Sequence, residues 1–153
     1  MNILISACLL GVNCKYDGGN NKIPFIDSLL DKHNFIPICP EQLGGLTTPR
    51  LPSEICYKNK AIGSKEDKII KNIEGLDVTS YFIRGAQEAL YICELFKCRK
   101  AILKSNSPSC GFEFIYDGTF SGKLTKGNGI FAELLAENGI EIYTEKDLDK
   151  YLK

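Results

Sequence analysis

The sequence predicts one α/β domain of three layers, in which a mostly parallel sheet is flanked by helices. Short apolar runs of strand length alternate along the chain with amphipathic helical segments. The chain has 153 residues, enough for one domain with a complete core. Because no repeat, linker or low-complexity stretch divides it, we expect a single domain over residues 1–153.

Apolar runs define the predicted strands. Each run of the main sheet ends at a loop signal, which is typical of buried strands. The predicted strands of the main sheet are Asn2–Ser6, Phe35–Ile38, Lys100–Lys104 and Ile140–Tyr143. Two further features predict antiparallel pairs: Glu54–Lys58 with Lys68–Ile73 around the polar loop Asn59–Asp67, and a hairpin formed by Phe112–Tyr116 with Asp117-Gly118.

Helical periodicity is clearest from Thr79 to Phe96. Its apolar residues recur at helical spacing and predict one buried stripe, formed by Phe82, Ala86, Ala89, Cys93 and Phe96. The other predicted helices are Pro24–Asp31, Asn128–Glu137 with its stop at Asn138-Gly139, and Glu145–Leu152 capped by Thr144. The segments Cys8–Asn21 and Glu41–Ser53 are rich in turn residues and are predicted to be irregular.

Composition excludes several classes of partner. The 19 basic and 19 acidic residues balance, so no global field favours nucleic acid or a membrane surface. No apolar run approaches the ~20 residues of a membrane span. The segment Met1–Ser6 has no basic start and reads as a strand rather than a signal peptide, so we expect a cytoplasmic protein. Thiols stay reduced there, so the seven cysteines indicate ligands, catalysis or packing rather than disulfides.

The cysteines fall into two groups by their positions. Cys8, Cys39 and Cys110 each lie in a loop that follows a predicted parallel strand. Because the carboxyl ends of parallel strands share one edge of a sheet, we expect these three thiols to converge. Cys14 competes with Cys8 for one of the three positions, and the Cys-x5-Cys spacing between them matches no standard zinc or redox motif. The cysteines predicted to serve only packing are Cys56, Cys93 and Cys98.

Polar residues at the same edge offer further candidates. Glu41, two residues after Cys39, is either a general base or a solvated loop carboxylate. Arg50 and Glu54 form either an ion pair that braces the loop or a substrate clamp. Ser107 and Ser109, read from the residues alone, are turn formers.

Other sequence features have simpler interpretations. His33 is the only histidine, and it lies at a helix end before a strand, opposite the cysteine edge. Asp17 and Asp117 each stand in Tyr-Asp-Gly and are predicted to form turns. No GxGxxG, P-loop or GxSxG motif occurs, so dinucleotide, nucleoside-triphosphate and serine-hydrolase functions lack support.

Six strings stand out along the chain: Ser6-Ala7-Cys8-Leu9-Leu10-Gly11-Val12-Asn13-Cys14-Lys15-Tyr16-Asp17-Gly18, Cys39-Pro40-Glu41-Gln42-Leu43-Gly44-Gly45-Leu46, Thr48-Pro49-Arg50, Gly75-Leu76-Asp77-Val78-Thr79, Ser107-Pro108-Ser109-Cys110-Gly111 and Ile115-Tyr116-Asp117-Gly118-Thr119-Phe120. In this order, from about residue 3 to residue 143, the chain resembles the bacterial family labelled domain of unknown function 523, which includes thiouracil desulfidases.

The resemblance implies a 4Fe–4S cluster held by three cysteines, with one iron left for the substrate sulfur. By this resemblance the ligands are Cys8, Cys39 and Cys110, with Cys14 either replacing Cys8 or serving as an auxiliary thiol. Glu41 is implied as the acid/base. The resemblance also implies that Ser107 assists at the substrate, and the residues expected to orient the substrate are Arg50, Ser109, Gly44 and Gly45.

The expected reaction is a hydrolytic, non-redox desulfuration of a small thiolated heterocycle such as a thiolated pyrimidine. Two other functional classes remain open. One is a closed zinc site with a structural or sensory role, for which Cys14 would supply the fourth ligand. The other is a metal-free small-molecule binding module in which the exposed thiols are incidental. The sequence specifies no oligomeric state.

Overall fold

The structure is a computed structural model that describes residues 1–57 and 68–148. Within those residues the strands are β1 (Asn2–Ser6), β2 (Asn34–Ile38), β3 (Ser53–Tyr57), β4 (Lys68–Asn72), β5 (Lys100–Leu103), β6 (Phe114–Tyr116), β7 (Leu124–Lys126) and β8 (Glu141–Thr144). The helices are α1 (Asp27–Leu30), α2 (Pro40–Leu43), α3 (Thr79–Leu95) and α4 (Ile130–Glu137), with a 3-10 helix at Ala7–Leu10.

The main sheet has four parallel strands in the order β2-β1-β5-β8. In the central strand, Leu4 lies opposite Ile36 of β2 on one side and Ala101 of β5 on the other. β5 in turn pairs in parallel with β8. This arrangement confirms the predicted α/β fold, and it brings the carboxyl ends of β1, β2 and β5 to one edge, where three chain segments leave neighbouring strands.

Both faces of the sheet are covered, which explains why the three central residues of β1, Ile3, Leu4 and Ile5, are all apolar. Leu4 faces a core formed with α3 and α4, whereas Ile3 and Ile5 face a second core that contains Leu9 and residues around α1. The side chains of a strand point alternately to its two faces, so a continuous apolar run is needed when neither face meets water. The three predicted layers follow from these two cores.

The long helix α3 buries most of the predicted stripe. Phe82, Ala86, Ala89 and Cys93 are buried, as the periodicity predicts. Phe96 is different: it follows the last helical residue and is 44% exposed, so the prediction that it shares the stripe is wrong. The stripe ends with Cys93 because the chain leaves the helix before the next turn is complete.

Close backbone contact joins α2 to α3. A Cβ added to Gly44 would lie 1.9 Å from the Tyr81 carbonyl oxygen, and one added to Gly85 would lie 1.8 Å from the Pro40 carbonyl oxygen. Only glycine fits at both positions. The segment Glu41–Ser53 was predicted to be irregular throughout. Its start instead belongs to α2, which Pro40 initiates from the first helical position.

The two antiparallel pairs lie outside the main sheet. β3 pairs with β4, which confirms the predicted pair within a shift of one residue, and the loop Asn59–Asp67 lies outside the described residues. β6 pairs with β7, so the predicted hairpin exists. Its connection is longer than Asp117-Gly118, because the Asp117 amide bonds to the carbonyl of Lys123. A third core of buried residues joins these pairs to α3, and it contains Ile55, Ile70, Val78, Phe82 and Ile115.

The remaining predictions concern the chain ends and connections. Cys8–Asn21 is irregular apart from the 3-10 helix at its start. The helix Pro24–Asp31 shortens to α1. Half of the predicted helix Glu145–Leu152, residues 149–152, lies outside the described residues, and residues 145–147 form a turn. Thr144 Oγ1 accepts a hydrogen bond from the Lys146 amide at 3.3 Å, as a cap would. Among the described helices, none combines the length and apolar character needed to cross a membrane.

Candidate active site

A cavity of about 520 Å³ opens at the carboxyl edge of the sheet. We call it the edge cavity. Its lining includes the thiols of Cys8, Cys14, Cys39 and Cys110 together with the carboxylate of Glu41. The positions of three cysteines after parallel strands predict this convergence, and the structure places Cys8, Cys39 and Cys110 around the same space. All seven cysteines lie within the described residues, and none forms a disulfide.

The local fold fixes each cysteine separately. Cys8 lies in the 3-10 helix directly after β1, and Cys39 is the residue that precedes α2 directly after β2. Cys110 follows β5 in a turn that packs on the start of α4, where the Ser109 carbonyl accepts hydrogen bonds from the amides of Phe131 and Ala132. Cys110 is 4% exposed and belongs to the core beneath α4, so it also contributes to packing.

Cys14 is nearly buried and links two of the other thiols. Its thiol is hydrogen-bonded to those of Cys39 and Cys8, and these contacts, together with burial, raise the pKa of Cys14. The same contact with Cys14 lowers the pKa of Cys8 and, against the effect of burial, lowers the pKa of Cys39 to about 7. Cys14 therefore keeps its proton more readily than Cys8 and Cys39 do, and it can donate that one proton to only one of them at a time.

Cys110 differs from those three thiols because it is fully enclosed. Burial raises the pKa of the Cys110 thiol, although hydrogen bonds with Ser6 and Ser109 act in the opposite direction. Negative charge on Cys8 or Cys39 would raise the pKa of Cys110 further, because both residues line the same cavity. A cation or metal group in the cavity would relieve this repulsion.

Glu41 is held from two sides at the cavity wall. Its Oε1 accepts a hydrogen bond from Arg50 Nε at 3.1 Å, and its Oε2 accepts one from Ser109 Oγ at 3.0 Å. The Glu41 side chain is 17% exposed and that of Arg50 is 7% exposed, so the pair is shielded from bulk water. This environment does not fit the interpretation of Glu41 as a solvated loop carboxylate.

The two serines have distinct contacts. Ser107 Oγ lies 2.9 Å from Ser109 Oγ and accepts hydrogen bonds from the amides of Ser109 and Cys110. Ser109 Oγ has two acceptors within reach, Glu41 Oε2 at 3.0 Å and Cys110 Sγ at 3.7 Å, and its one proton can serve only one of them at a time. In either case Ser107 is the donor in the contact between the two hydroxyls. Ser109 is thus the serine in direct contact with the carboxylate, and Ser107 reaches it only through Ser109.

Arg50 braces the cavity from behind. Its Nη2 donates to the Cys14 carbonyl oxygen at 2.8 Å, and its Nη1 donates to Thr48 Oγ1 and the Thr47 carbonyl oxygen. With Nε on Glu41, most of its donors are already used. The structure therefore favours the bracing role over the substrate clamp. The predicted pairing with Glu54 is wrong, since the Arg50 guanidinium is paired with Glu41.

Two other predicted substrate contacts lie away from the cavity. Gly44 packs on Tyr81, and the nearest side-chain atoms to Gly45 are those of Tyr81 and Arg84. Neither glycine belongs to the residues that line the edge cavity. We correct the prediction that they orient a substrate: the need for glycine at Gly44 comes from the crossing of α2 and α3.

Sequence reasoning missed an ion pair beside the cavity. Lys104 lines the cavity, and its Nζ lies 2.9 Å from Glu145 Oε1. Ser105 donates to the same carboxylate through both its amide and its hydroxyl. The available signal was a charged residue, Lys104, directly after a buried strand, a position where an unpaired charge is costly.

The three remaining sequence candidates, His33, Asp17 and Asp117, behave as turn or surface residues. His33 precedes the amino end of β2, opposite the cavity, and its ring lies 5.9 Å from that of Phe35. Asp17 and Asp117 each accept a backbone amide two residues ahead, as the turn interpretation predicts.

The donor set determines which metal groups the cavity suits. Thiols dominate it, and no imidazole approaches because the single histidine is remote. Among residues 1–57 and 68–148, no three His, Cys, Asp or Glu side chains lie at the spacing needed to hold one metal ion. Soft thiol ligands around a larger space fit an iron–sulfur cluster better than a closed single-ion site.

Comparison with known proteins identifies relatives over almost the whole chain. The family described as 2-thiouracil desulfurase matches residues 3–147. The uncharacterized protein YbbK of Bacillus subtilis (strain 168) is 40% identical over 155 residues, covering 98% of this chain and 99% of its own length. The solved structure of the [4Fe-4S]-dependent thiouracil desulfidase TudS superposes with a TM-score of 0.86 at 38% identity, covering 97% of this chain and 93% of that one.

Proposed function

We propose that this chain, which belongs to the 2-thiouracil desulfurase family, removes sulfur from a small thiolated heterocycle by a hydrolytic, non-redox reaction that depends on a 4Fe–4S cluster. The observation that carries the proposal is the edge cavity itself, where four thiols and a fixed carboxylate surround one space. The likeness to TudS, described as a [4Fe-4S]-dependent thiouracil desulfidase, supports both the cofactor and the reaction class.

Three cysteines would hold the cluster: Cys8, Cys39 and Cys110. Cys8 and Cys39 lie within two residues of the ends of β1 and β2, so the sheet fixes their positions. Cys110 lies farther from β5 and is fixed by the turn that packs on the start of α4. Cys14 would remain an auxiliary thiol, because it contacts two of these ligands from the loop behind them. When bound, a cluster with three protein ligands supplies an open iron as a soft Lewis acid for a thiocarbonyl sulfur.

Glu41 would act as the general base. Arg50 and Ser109 hold its two oxygens, so the carboxylate keeps one orientation at the cavity wall. In this position it can accept, at Oε2, a proton from the water that adds to the thiocarbonyl carbon. The hydroxyl of Ser107 would support that geometry through Ser109. The products would be the carbonyl compound and hydrosulfide, with no net electron transfer.

One observation favours a second candidate, a closed zinc site. Cys14 contacts both Cys8 and Cys39, so a fourth thiol is close at hand. The likeness to the [4Fe-4S]-dependent thiouracil desulfidase TudS favours the cluster over this candidate. The cytoplasm, where the thiols would stay reduced, is the proposed location for either function.

The test is purification without oxygen, followed by reconstitution with iron and sulfide. We expect a brown protein that absorbs broadly near ~400 nm and that releases uracil and hydrosulfide in equal amounts from 2-thiouracil without added reductant. A fully iron-loaded protein that releases hydrosulfide from no thiolated pyrimidine would contradict the proposal. A colourless protein with about one zinc per chain would favour the second candidate.

A further inference from the structure

Part of the lining of the edge cavity is aromatic. Tyr16 contributes from the loop that follows β1, and Tyr116 and Phe120 contribute from β6 and the loop after it. Aromatic side chains bind flat heterocycles by stacking, and they do so without hydrogen bonds that would select one base. These residues are separate from the thiols and the carboxylate that would carry the chemistry.

Phe120 has an unusual backbone conformation. Its φ is 56°, in the left-handed region that bulky residues rarely adopt. Such a conformation persists only where the surroundings impose it, and it is found preferentially at functional sites. Here the surroundings include Glu54, whose Oε1 accepts hydrogen bonds from the amides of Gly118 at 3.0 Å and Phe120 at 3.1 Å.

Glu54 is itself well placed for this task. It lies in β3 and is 8% exposed, so its carboxylate needs internal partners. Gly118 brings the loop close to that strand, because a Cβ added there would lie 2.7 Å from the Ile55 carbonyl oxygen. The Asp117 amide closes the loop on the carbonyl of Lys123 at 3.0 Å. The loop is thus built on β3, and it presents Phe120 to the cavity.

We propose that Phe120 is a specificity-determining residue that packs against the ring of a planar heteroaromatic thione, and that Glu54 is the positioning residue that holds Phe120 in place. The inference rests on the proposed function and narrows its substrate class. Ring-conjugated thiocarbonyl compounds gain the stacking contact, whereas acyclic compounds such as thioacetamide do not.

The first test compares Phe120→Ala with Phe114→Ala. Phe114 is a matched control, because it lies in β6 of the same hairpin, is 47% exposed and does not line the edge cavity. With cluster-loaded proteins, Phe120→Ala should raise KM for 2-thiouracil about tenfold and leave kcat nearly unchanged. Kinetics with thioacetamide should not change, and Phe114→Ala should behave as the unaltered protein.

The second test measures binding without desulfuration. Uracil has the ring but lacks the sulfur, so its Kd for the loaded protein reports the aromatic contact alone. We expect Phe120→Ala to raise this Kd about tenfold. If Phe120→Ala loses iron, Phe120→Leu keeps the apolar volume, removes the π system, and should weaken binding in the same direction. An unchanged Kd in an iron-loaded Phe120 variant would overturn the inference.

The two proposals fail in different ways. If the loaded protein binds uracil through Phe120 but releases no hydrosulfide from any thione, the role of Phe120 stands and the desulfidase function is wrong. If Phe120→Ala leaves the ratio of kcat/KM for 2-thiouracil to kcat/KM for thioacetamide unchanged, the desulfidase function stands and the role of Phe120 is wrong.

The role of Glu54 has its own test. Glu54→Ala removes the acceptor of both amides and should reproduce the rise in KM for 2-thiouracil, whereas Glu54→Gln keeps a side-chain oxygen and should largely restore the lower KM. If Glu54→Ala does not fold, Glu54→Asp, which retracts the carboxylate by one methylene, replaces it. A folded, iron-loaded Glu54→Ala or Glu54→Asp variant with unaltered KM would overturn the positioning role.

Discussion

Cys93 in the core and Cys39 at the edge of the sheet carry the same side chain in two different regions of the molecule. Cys93 is buried on α3, donates to the Cys98 carbonyl oxygen, and has its pKa raised to about 11, chiefly by burial. Cys39 is also largely shielded, yet its pKa falls to about 7 because the Cys14 thiol, the Gln42 amide and the Arg50 charge outweigh burial. In these two residues the polar groups around the thiol, more than its depth, therefore set the direction of the pKa shift. Cys110, also a proposed ligand, resembles Cys93 in this respect, because burial raises its pKa.

The largest expected effect comes from replacing Cys39 and Cys93, one at a time, with alanine. Cys39→Ala should lose most of the iron bound after reconstitution, because it removes one of three proposed ligands. Cys93→Ala should keep its full iron content and lose about 1 kcal/mol of unfolding free energy for the small volume removed. Iron per chain and urea denaturation measure the two effects.

This pair of variants also decides the ligand assignment. A folded Cys93→Ala protein without a cluster, or a Cys39→Ala protein with a complete one, would contradict it. Cys110→Ala is a less selective variant. Because Cys110 lies in the core beneath α4, its loss should reduce both iron content and stability.

The next effect concerns the carboxylate at the edge. Glu41→Gln keeps the volume of the side chain but removes the proton acceptor, so kcat for 2-thiouracil should fall about 10²- to 10⁴-fold. Iron content should not change. Glu88→Gln, on the exposed side of α3, is the matched control and should have neither effect. Undiminished turnover by an iron-loaded Glu41→Gln protein would rule out the general-base role.

A smaller effect should come from the contact that joins the two regions. The crossing of α2 on α3 places Cys39 and Glu41 relative to the core, and Gly44 lies in this crossing, where an added Cβ would be 1.9 Å from the Tyr81 carbonyl oxygen. Gly44→Ala should destabilise the protein by about 2 kcal/mol, since a Cβ there must displace backbone, and it should also lower iron binding. Gly19→Ala is the control, because its Cβ would meet only the Asp17 side chain, at 3.1 Å. Equal stability of the two variants in urea denaturation would contradict this account.

Sequence patterns predicted the scaffold and the thiol group for the same reason. Strands such as Asn2–Ser6 are buried on both faces, so their apolar runs and their ends are visible in the sequence, and parallel pairing then brings Cys8, Cys39 and Cys110 together. The assignment of α3 succeeded likewise from its periodicity, except at Phe96, where the chain leaves the helix.

The contacts that complete the site were not predictable in this way. Arg50 pairs with Glu41 rather than Glu54, and Ser109 rather than Ser107 touches the carboxylate. Such choices depend on how the irregular loops pack against one another, and spacing along the chain carries no information about that. Gly44 looked like part of a substrate loop for a similar reason, since the close approach of α3 is a tertiary contact.

The smallest effect concerns the ion-paired side of the edge, and it depends on pH. Burial alone would raise the pKa of Glu145, but hydrogen bonds from Ser105 and Lys104 outweigh it, and the pKa is lowered from its usual 4.5. A carboxyl whose pKa is lowered by folding stabilises the protein above its unfolded pKa, and that stability is lost as the pH falls through the folded value. Glu145→Gln should therefore lower the free energy of unfolding by about 1 kcal/mol near neutral pH and leave it unchanged once the pH is well below 4.5.

Urea denaturation of this variant and of the control Glu88→Gln at both pH values measures the difference. Because Glu145 holds Lys104 rather than a thiol, iron content should be the same in both variants. A loss of iron in Glu145→Gln would show that this side of the edge belongs to the metal centre as well.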